Sequence, residues 1–320
     1  MKHLVFAMVM FVLSVSLVWG QDEAITWELV SIEPVSPHGA ATDWNSIYNE
    51  PGAVIYYEGQ YHLFVNGYSG FPSNNGIGYR VSDDGINYEW ATEEPILRRD
   101  DMPNEPLAVA ASDVLVLDDG TWVLYFFNFN SSAWPRIRAT IGRATASNPT
   151  GPWTVDDDPI LTPEGDNRSV AYASVLPVED GFVMYYIVED RRGVERLARA
   201  TSEDGITWEK ETEPVFELDA TLGEGTNFVV NQVVFDGERW IMAYKFNRNS
   251  IGFAFSEDGI TWERYADNPV LSSTDIEGLT DIGYLSLLLD DMGQFTLFFE
   301  GNIGGQTQVY AAYINLTNLG

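Results

Sequence analysis

The octapeptide SEDGITWE occurs twice in the chain, at residues 202–209 and again, letter for letter, at residues 256–263. A variant, SDDGINYE, occupies residues 82–89. Self-similarity at a nearly fixed spacing is typical of proteins built from repeated structural units, because each unit satisfies the same packing requirement. The octapeptide therefore predicts a repeat architecture, and the rest of the chain can be divided accordingly.

A proline motif gives the number of repeats. Each unit carries an acidic residue or asparagine, then proline, then valine or isoleucine, and these prolines are separated by 61, 64, 55 and 55 residues. Their positions are Pro34, Pro95, Pro159, Pro214 and Pro269. The spacing indicates five units. A β-sandwich with similar strand content is the alternative, but it offers no reason for five matched prolines.

Within a unit, the sequence predicts antiparallel strands. Apolar runs such as residues 53–57 and alternating aromatic runs such as residues 60–66 are joined by short turns that contain glycine, as in β-hairpins. A third strand leads into the octapeptide, which we interpret as a turn plus the start of a fourth, outer strand. Its tryptophan is expected to pack between neighbouring sheets, and the following proline is expected to end the pairing. Five such units predict an all-β, five-bladed β-propeller.

The two ends of the chain complete each other. The last unit ends after three strands with QVYAAYINL at residues 308–316, whereas ITWELVSIEPV at residues 25–35 repeats the fourth-strand and proline signals. We therefore predict that the strand beginning at Ile25 pairs with the strand ending near Leu316 and completes the last blade. This closure would make residues 21–320 a single domain.

Residues 1–20 resemble a signal peptide. Lys2 and His3 precede an apolar run at residues 4–18, and small Gly20 precedes a polar segment. The run is short for a bilayer span, so an uncleaved anchor is the lesser alternative. The sequence predicts a secreted or periplasmic protein with no membrane partner after cleavage.

Charge and composition exclude several function classes. The chain has 48 acidic and 17 basic residues, for a net charge of −31, and so acidic a surface repels nucleic acid and anionic lipid. It has no cysteine and only three histidines, which excludes disulfides, thiolate metal sites and a histidine metal cluster. No cofactor is predicted to be required. A structural calcium ion stays an open alternative, although no spacing pattern indicates one.

The start of the first unit resembles a known enzyme motif. Residues 49–53 read Asn-Glu-Pro-Gly-Ala, which is similar to the Asn-Asp-Pro-Asn-Gly motif of glycoside hydrolase family 32. The turn at residues 144–153, ATASNPTGPW, is similar to one in family 43. These families, which include arabinanases, levansucrases and invertases, are five-bladed propellers. The resemblance covers the mature chain at the level of blades and the catalytic motif in part, and it implies a carbohydrate substrate.

The resemblance also implies acidic residues at the start of the first three blades. Glu50 occupies the position of the base or nucleophile, as glutamate where the families have aspartate, and Asp113 suits the carboxylate that tunes its neighbours. The third blade starts at residues 172–174 without a glutamate. Glu189, on the same blade, is the preferred replacement for the general acid. Asp190, Glu224 and Glu300 are the further acidic residues that could take this role.

Candidate substrate-binding residues surround these acids. Asn49 belongs to the motif, aromatic side chains can stack on sugar rings, and arginines can bind a carboxylated sugar or simply offset the acidic surface. The predicted set is Asn49, Trp44, Tyr68, Trp134, Arg168 and Arg248. Some of the aromatic residues are expected to fill space between blades instead.

Two functions follow from these observations. The first is hydrolysis of a glycosidic bond by carboxylate acid/base chemistry in the pocket expected on the central axis, which the first strand of each blade lines. The second is a catalytically inactive propeller that binds a glycan or a protein. The missing acid in the third blade favours the second function, and the motif at residues 49–53 favours the first. Fold alone does not separate them.

Overall fold

A computed structural model describes residues 24–70, 75–103, 106–129, 138–225, 231–247 and 249–317. The signal peptide predicted for residues 1–20 lies outside these ranges. The described chain is built from antiparallel strands and three short 3₁₀ segments, at Arg99–Asp101, Ala220–Leu222 and Ser273–Asp275. No helix in the described ranges is long and apolar enough to cross a membrane.

The strands form five separate sheets, and each sheet is one blade. Numbered in chain order, the strands of the first blade are β2 (Tyr48–Tyr57), β3 (Gln60–Tyr68), β4 (Asn75–Ser82), β5 (Glu89–Trp90) and β6 (Leu97–Arg98). Those of the second are β7 (Ala108–Val116), β8 (Trp122–Phe129), β9 (Ala139–Ala146) and β10 (Thr154–Val155). Those of the third are β11 (Asn167–Val178), β12 (Gly181–Asp190), β13 (Glu195–Ser202) and β14 (Glu209–Lys210).

The last two blades follow the same plan. The fourth contains β15 (Asn231–Phe235), β16 (Trp240–Phe246), β17 (Ser250–Ser256), β18 (Glu263–Arg264) and β19 (Leu271–Ser272). The fifth contains β20 (Asp281–Leu289), β21 (Phe295–Ile303), β22 (Gln306–Thr317) and β1 (Ala24–Leu29). The inner strands β2, β7, β11, β15 and β20 each contact the inner strands of both neighbouring blades. They form a closed ring, so the predicted five-bladed β-propeller is confirmed.

The N-terminal strand closes this ring as predicted. Strand β1 pairs antiparallel with β22, with Ile25 opposite Leu316. The backbone N–H of Ile25 also donates a hydrogen bond of 3.1 Å to the Tyr265 hydroxyl of the fourth blade. The first residues of the described chain therefore join the fifth blade and contact the fourth.

The repeated octapeptide is a turn that docks onto the preceding blade. In its first copy, Asp204 Oδ1 accepts backbone N–H groups from Ile206 and Thr207 at 2.8 and 2.7 Å. Trp208 then lies edge-on to Tyr125 of the second blade, with ring centroids 6.4 Å apart, and the Tyr125 hydroxyl donates to the Gly205 carbonyl at 3.3 Å. The predicted packing of the tryptophan between neighbouring sheets is confirmed.

The second copy of the octapeptide repeats this arrangement one blade later. The Tyr185 hydroxyl donates to the Gly259 carbonyl at 2.7 Å, and Trp262 lies 5.6 Å from the Tyr185 ring. The two identical sequences therefore link the second blade to the third and the third blade to the fourth.

The prolines act differently from the sequence-based expectation. We expected each proline to end the pairing of its blade, but the residue two positions later pairs again with the third strand of the same blade. These residues are Ser36, Leu97, Leu161, Phe216 and Leu271. Proline cannot donate a hydrogen bond, so it interrupts the outer strand, and the chain then returns to the sheet before crossing to the next blade.

Candidate active site

The start of the first blade buries an acidic side chain. Glu50, near the beginning of β2, is only 4% exposed. The hydroxyl of Tyr68, at the end of the adjacent strand β3, donates a hydrogen bond of 3.0 Å to Glu50 Oε1. The ring of Tyr48 stacks on that of Tyr68 with centroids 4.2 Å apart. Two residues of the predicted site, Glu50 and Tyr68, are thus in direct contact.

The fifth blade contributes a second buried carboxyl. Glu300, on β21, accepts the backbone N–H of Tyr284 at Oε2 with a distance of 3.0 Å. Tyr284 lies where the register of β20 shifts, between Ile282 and Leu285. A Cβ atom placed on Gly283 would approach Glu300 Oε2 to 1.7 Å, so only glycine leaves room for the carboxyl here.

The fourth blade contributes a buried cation. Lys245, on β16, is 7% exposed and lies close enough to Glu50 and Glu300 to lower the pKa of both carboxyls. Lys245 and Glu300 occupy matching sequence positions, five residues after the aromatic that follows the hairpin turn, and Asn66 occupies that position in the first blade. Comparing the aromatic strands position by position would have identified Lys245, which sequence reasoning missed.

Burial controls the ionisation of the two carboxyls. Burial raises the pKa of Glu50 well above its ordinary value, and the nearby Glu300 carboxyl raises it further, whereas the Tyr68 hydrogen bond and Lys245 lower it. Burial also raises the pKa of Glu300, against the hydrogen bond from the Tyr284 N–H and the charge of Lys245. Because two nearby carboxylates repel each other, the first proton bound by the pair is held tightly.

Aromatic side chains also lie near the two carboxyls. Phe127, at the matching position of the second blade, packs against Tyr172 with ring centroids 4.6 Å apart, and the hydroxyls of Tyr172 and Tyr284 lie 3.2 Å apart. Tyr172 has a backbone φ of +56°, a conformation that costs a non-glycine residue roughly 1–3 kcal/mol and is most frequent at functional sites. The site therefore combines charged groups from blades one, four and five with rings from blades two and three.

Asp113 lies deeper than sequence reasoning expected. It follows the register shift of β7 as Ala53 follows that of β2, whereas Glu50 precedes the shift. Its Oδ2 accepts the backbone N–H of Val175 at 2.6 Å and the Gln232 amide at 3.2 Å. Burial raises the pKa of Asp113 to about 7. These contacts join the inner strands of three blades and give Asp113 a structural role, and its tuning of Glu50 stays a prediction.

Glu189 is engaged by an arginine. It forms an ion pair with Arg168, so two residues predicted for the site bind each other. Two further acids that could have replaced the missing one are engaged in the same way. Asp190 accepts hydrogen bonds from the backbone and from neighbouring arginines, and Glu224 is bound by Tyr244 and Arg264. Among these four acids, Glu300 is the one that the fold brings to Glu50.

The remaining candidates lie in varied surroundings. Asn49 is fully buried and donates to Ser36 and to the Pro37 carbonyl, so its amide holds the N-terminal segment. Trp44 covers Gly67 and Gly78 of the first blade and contacts Trp90 edge-on at 5.8 Å. Trp134 and Arg248 lie outside the described residues. Substrate binding by these four side chains stays a prediction.

Clusters of acidic side chains can also bind metal ions. Within the described ranges, no cluster of three or more His, Cys, Asp or Glu side chains is arranged to hold a metal ion. A structural calcium ion therefore stays a hypothesis without support from a ligand cluster there.

Comparison with solved structures supports the five-bladed propeller fold. No family model matches the chain, and no curated protein matches it either. Among solved structures, a thermostable family-43 glycoside hydrolase is 19% identical with a TM-score of 0.61, covering 82% of this chain and 88% of its own. Zg3597, a family 117 glycoside hydrolase of Zobellia galactanivorans, is 15% identical with a TM-score of 0.68 and 91% coverage of both chains.

A third similar structure belongs to an animal enzyme. The GH32 β-fructofuranosidase BmSUC1 of Bombyx mori is 14% identical with a TM-score of 0.68, covering 90% of this chain and 64% of its own. The propeller of this protein is therefore the fold found in glycoside hydrolases of several families. At these identities the comparison establishes the fold, and the site must supply the argument for function.

Proposed function

We propose that this propeller, which shares its fold with glycoside hydrolases, is itself a glycoside hydrolase that uses Glu50 and Glu300 as its acid/base pair. One observation carries the proposal: two buried carboxyls from different blades lie close enough for their charges to interact, near one buried lysine. Glycoside hydrolysis requires two carboxyl groups, one protonated and one ionised, on either side of the scissile bond.

The surroundings of the two carboxyls support a division of roles. Burial and the neighbouring Glu300 carboxyl raise the pKa of Glu50 well above its ordinary value, so it is assigned as the general acid that donates its proton to the leaving glycosidic oxygen. Glu300 accepts the Tyr284 N–H and lies near Lys245, which favours its ionised form. It is assigned as the base that takes a proton from the attacking water. The anomeric carbon then bonds to the water oxygen as the glycosidic C–O bond breaks.

This assignment differs from the prediction made from the motif. There, Glu50 was the base or nucleophile and Glu189 the acid. The new roles follow from the partners: Glu189 is paired with Arg168, whereas Glu300 lies close enough to Glu50 for their charges to interact. Tyr172 is partly exposed and suits the apolar face of a sugar ring, whereas Phe127 is fully buried and supports the Tyr172 ring.

The test is a substrate screen with matched variants. Substrates suggested by the structural relatives are 4-nitrophenyl β-D-xyloside and sucrose, because those relatives include a xylan β-1,4-xylosidase and a β-fructofuranosidase. Aryl arabinofuranosides and other oligosaccharides complete the panel. For a substrate that wild type cleaves, we expect Glu50→Gln and Glu300→Gln each to lower kcat/KM by about 10²–10⁴-fold.

The matched control is Glu263→Gln, which changes an exposed glutamate on β18 and should leave kcat/KM unchanged. Folding of all variants is checked by circular dichroism. Activity that survives both Glu50→Gln and Glu300→Gln in folded protein would remove this pair from the reaction.

The second candidate function is a propeller that binds carbohydrate without cleaving it. The ion pair of Glu189 and the structural contacts of Asp113 favour it, because the acid that suits the second position and the replacement predicted for the third are both engaged within the protein. Calorimetric binding of an oligosaccharide that remains intact after prolonged incubation would support this function over hydrolysis.

We further propose that the mature protein is secreted or periplasmic. The support is the apolar run at residues 4–18 behind Lys2. Expression in a bacterial host, followed by fractionation and mass determination of the N-terminus, tests this. A full-length chain in the cytoplasm would contradict it.

A further inference from the structure

A small cavity lies on the propeller axis next to Glu50 and Glu300. It measures about 10 Å³, enough for one water molecule. The inner strands of all five blades line it, through Gly52, Ser112, Tyr172, Asn231 and Tyr284 among others. Gly52 follows Glu50 by two residues, and Tyr284 donates its N–H to Glu300. The residues that line the cavity therefore include close chain neighbours of Glu50 and the hydrogen-bond partner of Glu300.

One polar side chain in this cavity lacks a partner. Asn231, the first residue of β15, is 2% exposed, and neither its Oδ1 nor its Nδ2 has a hydrogen-bond partner among the described residues. A buried polar group without a partner costs roughly 1–3 kcal/mol, so such groups are uncommon in folded proteins. The next residue, Gln232, shows the usual outcome, because its amide bonds to Asp113 and Ser174.

The chemistry of the asparagine amide defines what it can bind. The amide presents one acceptor and an N–H₂ donor side by side, which matches a hydroxyl group that both donates and accepts. The strained backbone of Tyr172 in the same cavity is a second sign of a site maintained for binding rather than for stability.

We propose that Asn231 binds a hydroxyl group of the sugar held beside Glu50 and Glu300, and that one water molecule takes this place in the sugar-free protein. This inference rests on the proposed carbohydrate function. The role assigned to Asn231, on the fourth blade, is recognition of the sugar. Asn231 touches neither acid in the proton transfers described above, so its loss should weaken binding without changing the chemistry of the two carboxyls.

Binding of monosaccharides tests this without requiring hydrolysis. The probes are D-xylose, D-fructose, L-arabinose and D-galactose, titrated calorimetrically into wild type, Asn231→Leu and Asn231→Ala. For a sugar that wild type binds, we expect an affinity weaker by about 5–150-fold in both variants, because a lost pair of hydrogen bonds costs about 1–3 kcal/mol. The alanine variant guards against overpacking by leucine.

Asn66 is a control that distinguishes a role in sugar recognition from a role in stability. Asn66 is also fully buried, but its amide bonds to the N–H and carbonyl of Ala111 at 2.7 and 3.1 Å. Asn66→Leu should therefore lower the melting temperature clearly, whereas Asn231→Leu should leave it unchanged or raise it.

The outcomes separate the two proposals. Three outcomes would each overturn the inference. The first is unchanged sugar affinity in both Asn231 variants, and the second is a loss of stability in Asn231→Leu as large as in Asn66→Leu. The third is wild type that binds none of the four sugars. Wild type that binds a sugar through Asn231 but hydrolyses no glycoside would overturn the proposed hydrolysis and leave the inference intact.

Discussion

The Tyr68 hydroxyl donates a hydrogen bond of 3.0 Å to Oε1 of the buried Glu50 carboxyl. This contact lies at the centre of the candidate site, and it lowers the pKa of Glu50 against the larger effect of burial. The pKa of Glu50 is therefore set by opposing contributions, and those of Tyr68 and Lys245 can each be removed by a substitution.

Replacing Tyr68 with phenylalanine should shift the alkaline limb of the pH–activity profile. Tyr68→Phe removes a hydrogen bond that favours the ionised form of Glu50, so the pKa of Glu50 rises. Because Glu50 is assigned as the acid that must carry a proton, kcat should then persist to higher pH. The measurement is kcat against pH on the best substrate from the screen. Tyr57→Phe, at the far end of β2, is the control, and a shift toward lower pH would contradict the assignment of Glu50 as the acid.

Removing the buried cation should move both limbs of the same profile. Lys245 lowers the pKa of Glu50 and of Glu300, so Lys245→Met should raise both values and shift the pH optimum upward. Activity at neutral pH should also fall, because Glu300 would be ionised in a smaller fraction of molecules. Lys210→Met, which removes a lysine from a surface ion pair with Glu164, should leave the optimum in place. An unchanged optimum in Lys245→Met would show that this lysine does not influence the pair.

Asp113 should make stability depend on pH. Its pKa rises from an ordinary value of 3.8 to about 7 in the folded protein, so between about pH 4 and pH 7 the folded state binds more protons than the unfolded state. The free energy of unfolding should then decline as pH rises through this window, and Asp113→Asn should lack this contribution.

The quantity to measure is the difference in the free energy of unfolding between Asp113→Asn and wild type, because the large negative net charge (−31 in wild type) affects the stability of both proteins alike. Urea unfolding at pH 4, 6 and 8 gives the two free energies. The variant minus wild-type difference should become more positive with rising pH. A difference that does not vary with pH would mean that Asp113 is ionised throughout.

The closing strand should be required for a stable ring. Strand β1 supplies six residue pairs to β22, from Ala24–Thr317 to Leu29–Ala312, and Ile25 contributes to the core between the fourth and fifth blades. A chain that begins at residue 31 should lose its cooperative thermal transition or aggregate. A chain that begins at residue 24 keeps β1 and is the control. Equal melting temperatures for the two chains would show that β22 can form the edge of the fifth blade by itself.

Much of the fold was predictable because the repeats record local requirements. The SEDGITWE turn needs Asp204 to bind the N–H groups of Ile206 and Thr207, and it needs Trp208 to fill the space beside the preceding blade. These demands recur in several blades, so the same letters recur. The blade count and the pairing of Ile25 with Leu316 followed from them.

The site was predictable only where it depends on neighbouring residues in sequence. Glu50 and Tyr68 lie on adjacent strands of one hairpin; the motif at residues 49–53 located Glu50, and Tyr68 was predicted separately as an aromatic residue that could stack on a sugar ring. Asp113 was placed beside Glu50 because its segment resembles a strand start. The register shift of β7 puts it deeper along the axis, since one extra residue in a strand changes both the depth and the direction of every side chain after it.

By itself, the sequence determined five antiparallel blades and their closure, because each blade requires similar residues for its hydrogen bonds and packing, and these residues recur at regular intervals in the chain. Tertiary structure alone decided that Glu300 and Lys245 join Glu50, and that Asn231 faces the axis without a partner among the described residues. These residues come from three different blades, and although Lys245 and Glu300 share a repeat position, that position does not indicate which side chains meet. Only the closed ring of inner strands brings them together, with burial then raising the pKa of both glutamates.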